Sequence, residues 1–224
     1  MLPPGQQSRP DFPRFGLNQY ANRFPTELEH RRLTLQVPSG AQVILDLDEA
    51  EIERVSQTSD FHCVTTWSYC GANWQGVRFR DLYECYVKPD LADGTSIRGV
   101  SLYAQDGYKT SLPLEDLLTD NTLIADTLSG QPLTIDHGAP LRLVAPNHYG
   151  YKNLKHLKRI EFYTDLPVLK HGILKFMDHP RVRVSKEERG RYFPGWLLRV
   201  LYRPLINRTV ILFKKTVDRF NKAA

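Results

Sequence analysis

Apolar and polar residues alternate in short runs along the first two thirds of the chain. This period of two predicts β-strands, because successive side chains of a strand point to opposite faces of a sheet. The predicted strands cover residues 32–37, 41–47, 96–104, 109–112, 123–128, 141–145 and 159–163, with a β-rich run over 60–67. The stretch after this run, through Gly76, shows no clear period and is predicted to be irregular.

Helical spacing is found in shorter segments. Two short helices are predicted over 48–55 and 80–86, and a third after Pro113, since proline is tolerated in the first turn of a helix. Near the C-terminus, helices are predicted over 185–191, 194–202 and 208–221. Residues 1–30 show no period and are predicted to form an extended arm. Because no regular strand–helix alternation is present, we predict an α+β, mostly β fold.

Charge separates the strand-rich part of the chain from the rest. The net charge is +5, yet residues 165–224 hold 14 Lys/Arg and 5 Asp/Glu, whereas residues 1–164 hold 16 and 20. We therefore predict a domain over 1–165 and a basic, partly helical extension over 166–224. The N-terminal residues do not resemble a signal peptide, and no window has the roughly 20 apolar residues of a membrane span, so we expect a cytoplasmic protein.

Cys63 is the first candidate for chemistry, in the sequence DFHCVTTWSYCGANWQGV. A thiolate is a soft ligand that suits molybdenum or another soft metal. The alternative is a buried structural cysteine, which is the usual environment of a free cysteine. Cys70 and Cys85 are interpreted as structural, since no CxxC pair is present.

A second candidate is the basic cluster HGAPLRLVAPNHYGYKNLKHLKR, residues 137–159. Arginine offers a rigid fork that binds phosphate, lysine offers a point charge, and backbone N–H groups of a glycine-containing turn can add to an anion site. The cluster therefore suits a phosphate-bearing ligand. The alternative is a solvated basic face.

Together these segments resemble the molybdopterin-binding domain of the sulfite oxidase family. The first matches its HCVT-like run leading to WS and W-x-G-V, the second its HGxPxRLxxP…YG…K…K motif, and GYKTSLPLEDLL at 107–118 lies between them. The resemblance covers roughly residues 1–165. It implies a sulfite oxidase-type fold, an enzyme with one molybdenum–molybdopterin per chain, oxygen-atom transfer, and a separate redox partner protein for electrons.

The resemblance also implies roles for individual residues. Cys63 would be the catalytic centre's single protein ligand to molybdenum, and residues 1–30 would lie over the cofactor. His137 and Arg142 would hold the pterin phosphate, with Asn153, Leu154 and Lys155 completing the cradle, largely by their backbone and the Lys155 charge. Ser101 and Asn18 would be further contacts to the cofactor. The residues suggested for the substrate side of the metal are Thr66, His148, Tyr149 and Tyr151.

Two features distinguish this chain within the resemblance. Many bacterial members carry arginine in the HCVTRWS position where this chain has Thr66, which argues against sulfite oxidation. Residues 177–193 (MDHPRVRVSKEERGRYF) and 149–152 (YGYK) resemble protein-methionine-sulfoxide reductase catalytic subunits. We therefore predict reduction of a small-molecule or sulfoxide-type substrate. The alternatives are sulfite oxidase-like oxidation of a small oxyanion, and a non-catalytic cofactor-binding or interaction protein.

The extension mixes bulky apolar residues with arginine and lysine in PGWLLRVLYRPLINRTVILFKKTVDRF. One interpretation is peripheral contact with an anionic membrane, and the other is a helix packed on the domain with its basic residues solvated. No nucleic-acid-binding motif is recognisable, so no nucleic-acid partner is expected.

Overall fold

Two β-sheets form the body of the protein in the computed structural model, which describes residues 2–167 and 179–223. The strands are β1 (Gln7–Ser8), β2 (Arg32–Gln36), β3 (Gln42–Asp46), β4 (Arg54–His62), β5 (Trp67–Arg78), β6 (Gly99–Ala104), β7 (Lys109–Pro113), β8 (Leu123–Leu128), β9 (Gln131–Pro132), β10 (Arg142–Val144) and β11 (Leu157–Tyr163). The α-helices of the described residues are α1 (Phe79–Tyr86), α2 (Leu114–Leu117), α3 (Gly195–Tyr202) and α4 (Leu205–Ala223).

The first sheet is built around an antiparallel hairpin of β4 and β5. β5 also pairs with β8, which pairs in turn with β10 and β9, and β1 lies parallel to the start of β5. The turn of the hairpin, residues 63–66, therefore lies at one end of the sheet beside the N-terminal arm. This turn contains the predicted metal ligand.

The second sheet has the strand order β3-β2-β11-β6-β7. Only the β11–β2 pair is parallel, and the others are antiparallel. Alternate residues of these strands, such as Leu33, Leu35 and Leu102, are buried in a core that they share with the first sheet and α1. Full burial of a leucine side chain contributes roughly 1.5–3 kcal/mol, so this shared core holds the two sheets together.

The alternating pattern predicted most strands correctly, but three segments differ. In the β-rich run predicted over 60–67, residues 63–66 form the turn between β4 and β5. Residues 48–55 do not form a helix. The Asp46 side chain accepts from the Asp48 N–H at 3.1 Å in a turn, irregular backbone follows over 50–53, and β4 begins at Arg54. The stretch predicted to be irregular is the 12-residue strand β5. A Cβ at Gly76 would lie 2.1 Å from the Ile124 carbonyl oxygen, so glycine permits the close approach of β5 to β8.

The C-terminal helices at 194–202 and 208–221 are confirmed by α3 and α4, but the helix predicted over 185–191 is wrong. Only a 3-10 turn forms, over Val184–Lys186, because Glu187 has the left-handed backbone φ of 52°. Met177 and Asp178 of the sulfoxide-reductase-like motif lie outside the described residues. The predicted domain boundary at residue 165 stays a prediction.

Candidate active site

Cys63 is the first residue of the tight turn that joins β4 to β5. Its N–H donates to the Trp67 carbonyl at 2.8 Å, and its carbonyl accepts from the Thr66 N–H at 3.1 Å. Thr66 has a backbone φ of 88°, which is rare and costly for a β-branched residue. A buried cysteine is thus held in a rigid turn that tolerates local strain.

Three other segments hold this turn. Gln6 of the arm donates to the Cys63 carbonyl at 3.0 Å, and the Gly150 N–H donates to the His62 carbonyl at 2.8 Å. Arg189 donates to the Val64 carbonyl at 2.7 Å. The position of Cys63 therefore depends on both ends of the chain as well as on its own hairpin.

The polar surroundings of the Cys63 sulfur favour the thiolate, whereas its burial opposes it. Burial raises the pKa of the Cys63 thiol. The Thr65 hydroxyl, 3.1 Å from Sγ, and the charges of Arg189 and Lys155 act in the opposite direction. A bound soft metal would take the proton's place, since it is the thiolate that coordinates metals.

Arg142 is the centre of the basic cluster, and it is fully buried. Its guanidinium donates to the carbonyls of His137 at 2.8 Å, Leu143 at 3.4 Å and Asn153 at 3.4 Å. It also lies over the Trp74 ring, 4.8 Å from the centroid. Within the described part of the chain, Arg142 has no carboxylate partner, so its charge is not neutralised by an ion pair.

Lys155 and His137, which lie near Arg142, are also partly buried among positive charges. Burial lowers the pKa of Arg142 to about 9 and, together with the nearby cations, that of Lys155 to about 7 and that of His137 to about 3. Lys155 donates to the Asp136 backbone carbonyl at 2.5 Å, not to a carboxylate. A bound anion would restore the charged forms, so the cluster suits a phosphate and is not the solvated basic face of the alternative.

An aromatic wall joins the cysteine turn to the basic cluster. The Phe12 ring of the arm lies 4.8 Å from the His137 ring and 6.2 Å from the Trp67 ring, measured between centroids. The guanidinium of Arg142 lies 5.8 Å from the centroid of Phe61, two residues before Cys63. The two sequence motifs therefore lie against one continuous surface.

The remaining residues predicted to contact the cofactor differ in how well their environments suit that role. The Asn153 side chain bonds the backbone of Ala145 and His148, and Leu154 is part of the core. The N–H groups of these two residues donate to Gly150 and Lys152 carbonyls, so Lys155 offers the clearest ligand contact of the three. Ser101 is buried in β6 with a hydroxyl that has no partner among the described residues, and Asn18 is exposed.

A cavity of about 360 Å³ lies beside the cysteine turn. His62, the residue before Cys63, lines it together with His148, Asp116 and Arg183. The His148 Nε2 lies 3.9 Å from the Asp116 carboxylate, and its Nδ1 donates to the Arg181 carbonyl. Of the four guesses for the substrate side, His148 lines this cavity. The others do not line it: Thr66 and Tyr149 are buried, and the Tyr151 hydroxyl accepts from the His179 N–H at 3.3 Å.

Sequence reasoning missed Arg189. This side chain is buried, donates to the Val64 and Pro4 carbonyls at 2.7 and 2.9 Å, and pairs with Glu187 at 3.1 Å. In the sequence it is one of several arginines in a polar run, and only tertiary contacts distinguish it.

Comparison with known proteins shows which family the chain is similar to. The family model of the oxidoreductase molybdopterin binding domain matches residues 22–167. The chain is 40% identical over 115 residues to the uncharacterized oxidoreductase YuiH of Bacillus subtilis, covering 51% of this chain and 56% of that protein. It is 30% identical over 172 residues to the protein-methionine-sulfoxide reductase catalytic subunit MsrP of Xanthomonas axonopodis pv. citri, covering 65% and 52%.

A third relative is the mitochondrial sulfite oxidase of Drosophila melanogaster, 34% identical over 93 residues, which are 40% of this chain and 16% of that protein. The chain spans about half the length of the first two relatives. The predictions of a sulfite oxidase-type fold, a molybdenum cofactor and an oxidoreductase enzyme are confirmed at this level. The chain belongs to the family of oxidoreductase molybdopterin-binding domains.

Proposed function

We propose that this chain binds one molybdenum–molybdopterin and uses it to reduce a sulfoxide or N-oxide. The observation that carries the proposal is the joint placement of a buried cysteine turn and an uncompensated basic cluster on one aromatic wall. Cys63 would be the protein ligand to the metal. His137, Arg142 and Lys155 would hold the phosphate, and Ser101, Asn153, Leu154 and Asn18 are further candidate contacts.

The residues fit this cofactor on two physical grounds. A thiolate is a suitable ligand for a soft metal, and Cys63 is held in a rigid, buried turn. The depressed pKa values of Arg142 and Lys155 show that cations are buried there without enough negative charge, which a phosphate would supply. Ser101 Oγ and His137 Nδ1 are buried and lack partners among the described residues, so they are free to bond a polar ligand.

When bound, the cofactor supplies the two-electron oxygen-atom transfer, and the protein supplies binding, orientation and protons. Reduction of a sulfoxide to a sulfide consumes two electrons and two protons and releases water. The cavity beside the turn would hold the substrate, with Arg183 offering N–H donors to its oxygen. Burial lowers the pKa of His148, and the hydrogen bond to the Arg181 carbonyl and the charge of Asp116 oppose this effect. Because the neutral ring donates from Nδ1, its Nε2 is a hydrogen-bond acceptor and would pass a proton to the substrate only after taking one up from solvent.

The direction of transfer is supported by two features. Thr66 stands where an arginine in related chains would attract a small oxyanion, and the chain is similar to a protein-methionine-sulfoxide reductase subunit over 65% of its length. Oxidation of sulfite is the second candidate, favoured by the similarity to a sulfite oxidase. A cofactor-binding protein without turnover is the third.

The electrons would come from a separate redox protein. We propose a cytoplasmic location, supported by the exposed free thiols of Cys70 and Cys85, which suit a reducing compartment.

The test begins with the molybdenum content of the native protein, Cys63→Ala and Cys70→Ala, each expressed in a host that makes the cofactor. Cys70 is a matched control because it is an exposed cysteine in the same hairpin. We expect about one metal per chain in the native protein and the control, and loss or a changed metal spectrum in Cys63→Ala. Equal, unchanged metal in all three, or none in any, would contradict the cofactor assignment.

Turnover then separates the candidate reactions. The loaded protein is assayed with methionine sulfoxide and a reduced viologen dye as electron donor, and separately with sulfite and ferricyanide as electron acceptor. Dye oxidation that depends on the sulfoxide supports the proposed direction. Turnover of sulfite alone would support the second candidate, and a loaded protein inactive with a panel of sulfoxides, N-oxides and sulfite would support the third.

A further inference from the structure

Helix α3 is apolar around nearly its whole circumference. Between Gly195 and Tyr202, Arg199 is the only charged residue. A helix of this composition is ordinarily buried on all sides. Here one side is buried through Leu198 and Tyr202, and the opposite side is open, with Trp196 60% exposed, Val200 67% and Leu201 56%.

Large apolar residues that precede and follow α3 in the chain are also exposed. We define the outer face by its exposed apolar residues, which are Tyr192, Phe193, Trp196, Val200, Leu201, Leu205 and Ile211. Single exposed apolar residues are normal on a protein surface, but seven within 20 consecutive residues mark a surface that has a partner.

The outer face is bordered by positive charge. Residues 191–224 hold eight lysines and arginines and one aspartate. Exposed members of this group include Arg203 between the helices, and Arg208, Lys214 and Lys215 on the open side of α4. The partner surface must therefore be apolar beneath an anionic layer.

The helices that carry the outer face are fixed to the domain. Phe213 and Thr216 of α4 are buried, and Phe220 stacks on Phe24 of the arm with ring centroids 4.1 Å apart. Arg199 of α3 pairs with Glu187 at 3.0 Å. One face of the extension thus packs on the domain, as in the interpretation of a helix packed on the domain. The outer face is exposed to the surroundings in a fixed orientation.

We propose that the outer face docks on an anionic phospholipid membrane, with the helices lying in the plane of the interface. Tryptophan and tyrosine, which have an apolar body and a polar tip, are favoured at the level of the lipid headgroups, and arginine and lysine pair with anionic headgroups. No described helix is long and apolar enough to cross a membrane. The proposal is independent of the reaction proposed for Cys63.

Docking would also orient the candidate active site. Leu198 and Tyr202, on the inner side of α3, pack in one cluster with Val64 of the cysteine turn. Helix α3 therefore shares a hydrophobic cluster with the turn that contains Cys63, and the docked protein would hold that turn close to the lipid surface.

The fluorescence of tryptophan gives a direct test. Of the three tryptophans, Trp67 and Trp74 are buried and Trp196 is on the outer face. On addition of vesicles made of equal parts phosphatidylcholine and phosphatidylglycerol, we expect the emission to shift to shorter wavelength and quenching by acrylamide to fall. Trp196→Phe should lose this spectral response yet still co-sediment with vesicles, because phenylalanine keeps most of the apolar surface.

Two variants test the two parts of the surface. The double variant V200S/L201S removes apolar area, and K214Q/K215Q removes charge, and we expect each to weaken vesicle binding by about tenfold or more. Ile44→Ser is the matched control for the apolar change, since Ile44 is 72% exposed on β3, and Lys158→Gln is the control for charge. Both controls should bind as the native protein does.

Three results would overturn the proposal. The native protein could fail to bind anionic vesicles, V200S/L201S could bind unchanged, or binding to pure phosphatidylcholine could equal binding to the anionic vesicles. Light scattering after size exclusion is measured in parallel. A dimer that V200S/L201S dissociates, without vesicle binding, would assign the outer face to a second copy of the chain.

Discussion

Replacing Arg142 by methionine should change stability in opposite directions with and without cofactor. The pKa of the buried guanidinium falls from 12.5 to about 9, so it remains charged at neutral pH. Each pKa unit is worth 1.36 kcal/mol, so burying this charge destabilises the cofactor-free fold by about 5 kcal/mol. The three hydrogen bonds to carbonyls offset about 3 kcal/mol of that penalty.

The cofactor-free Arg142→Met protein is therefore expected to be more stable than the native protein by about 2 kcal/mol, since methionine keeps the packing against Trp74. In the loaded protein the same change would remove a proposed partner of the cofactor phosphate. Loss of a buried charge-assisted pair costs about 3 kcal/mol or more, which corresponds to a decrease in cofactor affinity of about 100-fold.

Urea unfolding of both forms, together with molybdenum retained after dialysis, measures these two effects. Arg159→Met is the control, because Arg159 is partly exposed and paired with Glu161 at 3.0 Å, and it should shift either form by less than about 1 kcal/mol. Destabilisation of the cofactor-free Arg142→Met protein by about 3 kcal/mol or more, or metal retention equal to the native protein, would refute the reasoning.

Three further predictions concern residues around the site. The folded-state pKa of Lys155 is lowered from 10.5 to about 7, so the unfolded chain binds more protons than the folded chain between these pH values. The free energy of unfolding of the cofactor-free protein should therefore rise between about pH 7 and about pH 10. Urea unfolding measured across this pH range should show the rise in the native protein and not in Lys155→Met. Arg189→Gln should destabilise by about 3 kcal/mol, because two buried carbonyls lose a charged donor, whereas exposed Arg191→Gln should not. Thr66→Gly should raise the thermal midpoint by relieving about 1 kcal/mol of strain, and a lowered midpoint would show that the threonine side chain contributes more than its backbone costs.

The sequence predicted a strand correctly where the pattern of apolar residues matches the side of the strand that is buried. Leu33 and Leu35 alternate with polar residues because one side of β2 faces the core, and this alternation is visible without the fold. β5 has neighbours on both sides and a glycine, Gly76, where β8 approaches closely, so its residues do not follow the half-buried pattern. Its strand character comes from pairing with distant segments.

For the candidate site, the sequence indicated the residues that lie in short motifs, but not a residue whose role depends on distant contacts. Cys63 and Arg142 lie in short motifs whose residue types already indicate a soft metal and an anion. The contribution of Arg189 depends on contacts with Val64 and Pro4, which are more than a hundred residues away in the chain. No local signal distinguishes such a residue from its solvated neighbours.

The contact between the arm and α4 has a consequence for the basic cluster. Arg14 of the arm lies over the rings of Phe24 and Phe213, with centroid distances of 4.5 and 5.2 Å, so the last helix of the chain clamps its first segment. The same arm places Phe12 against His137. These contacts connect α4 through the arm to the basic cluster, so a change in α4 would alter the packing around His137. The C-terminal helix thereby influences the candidate phosphate site indirectly, through the arm that it holds in place.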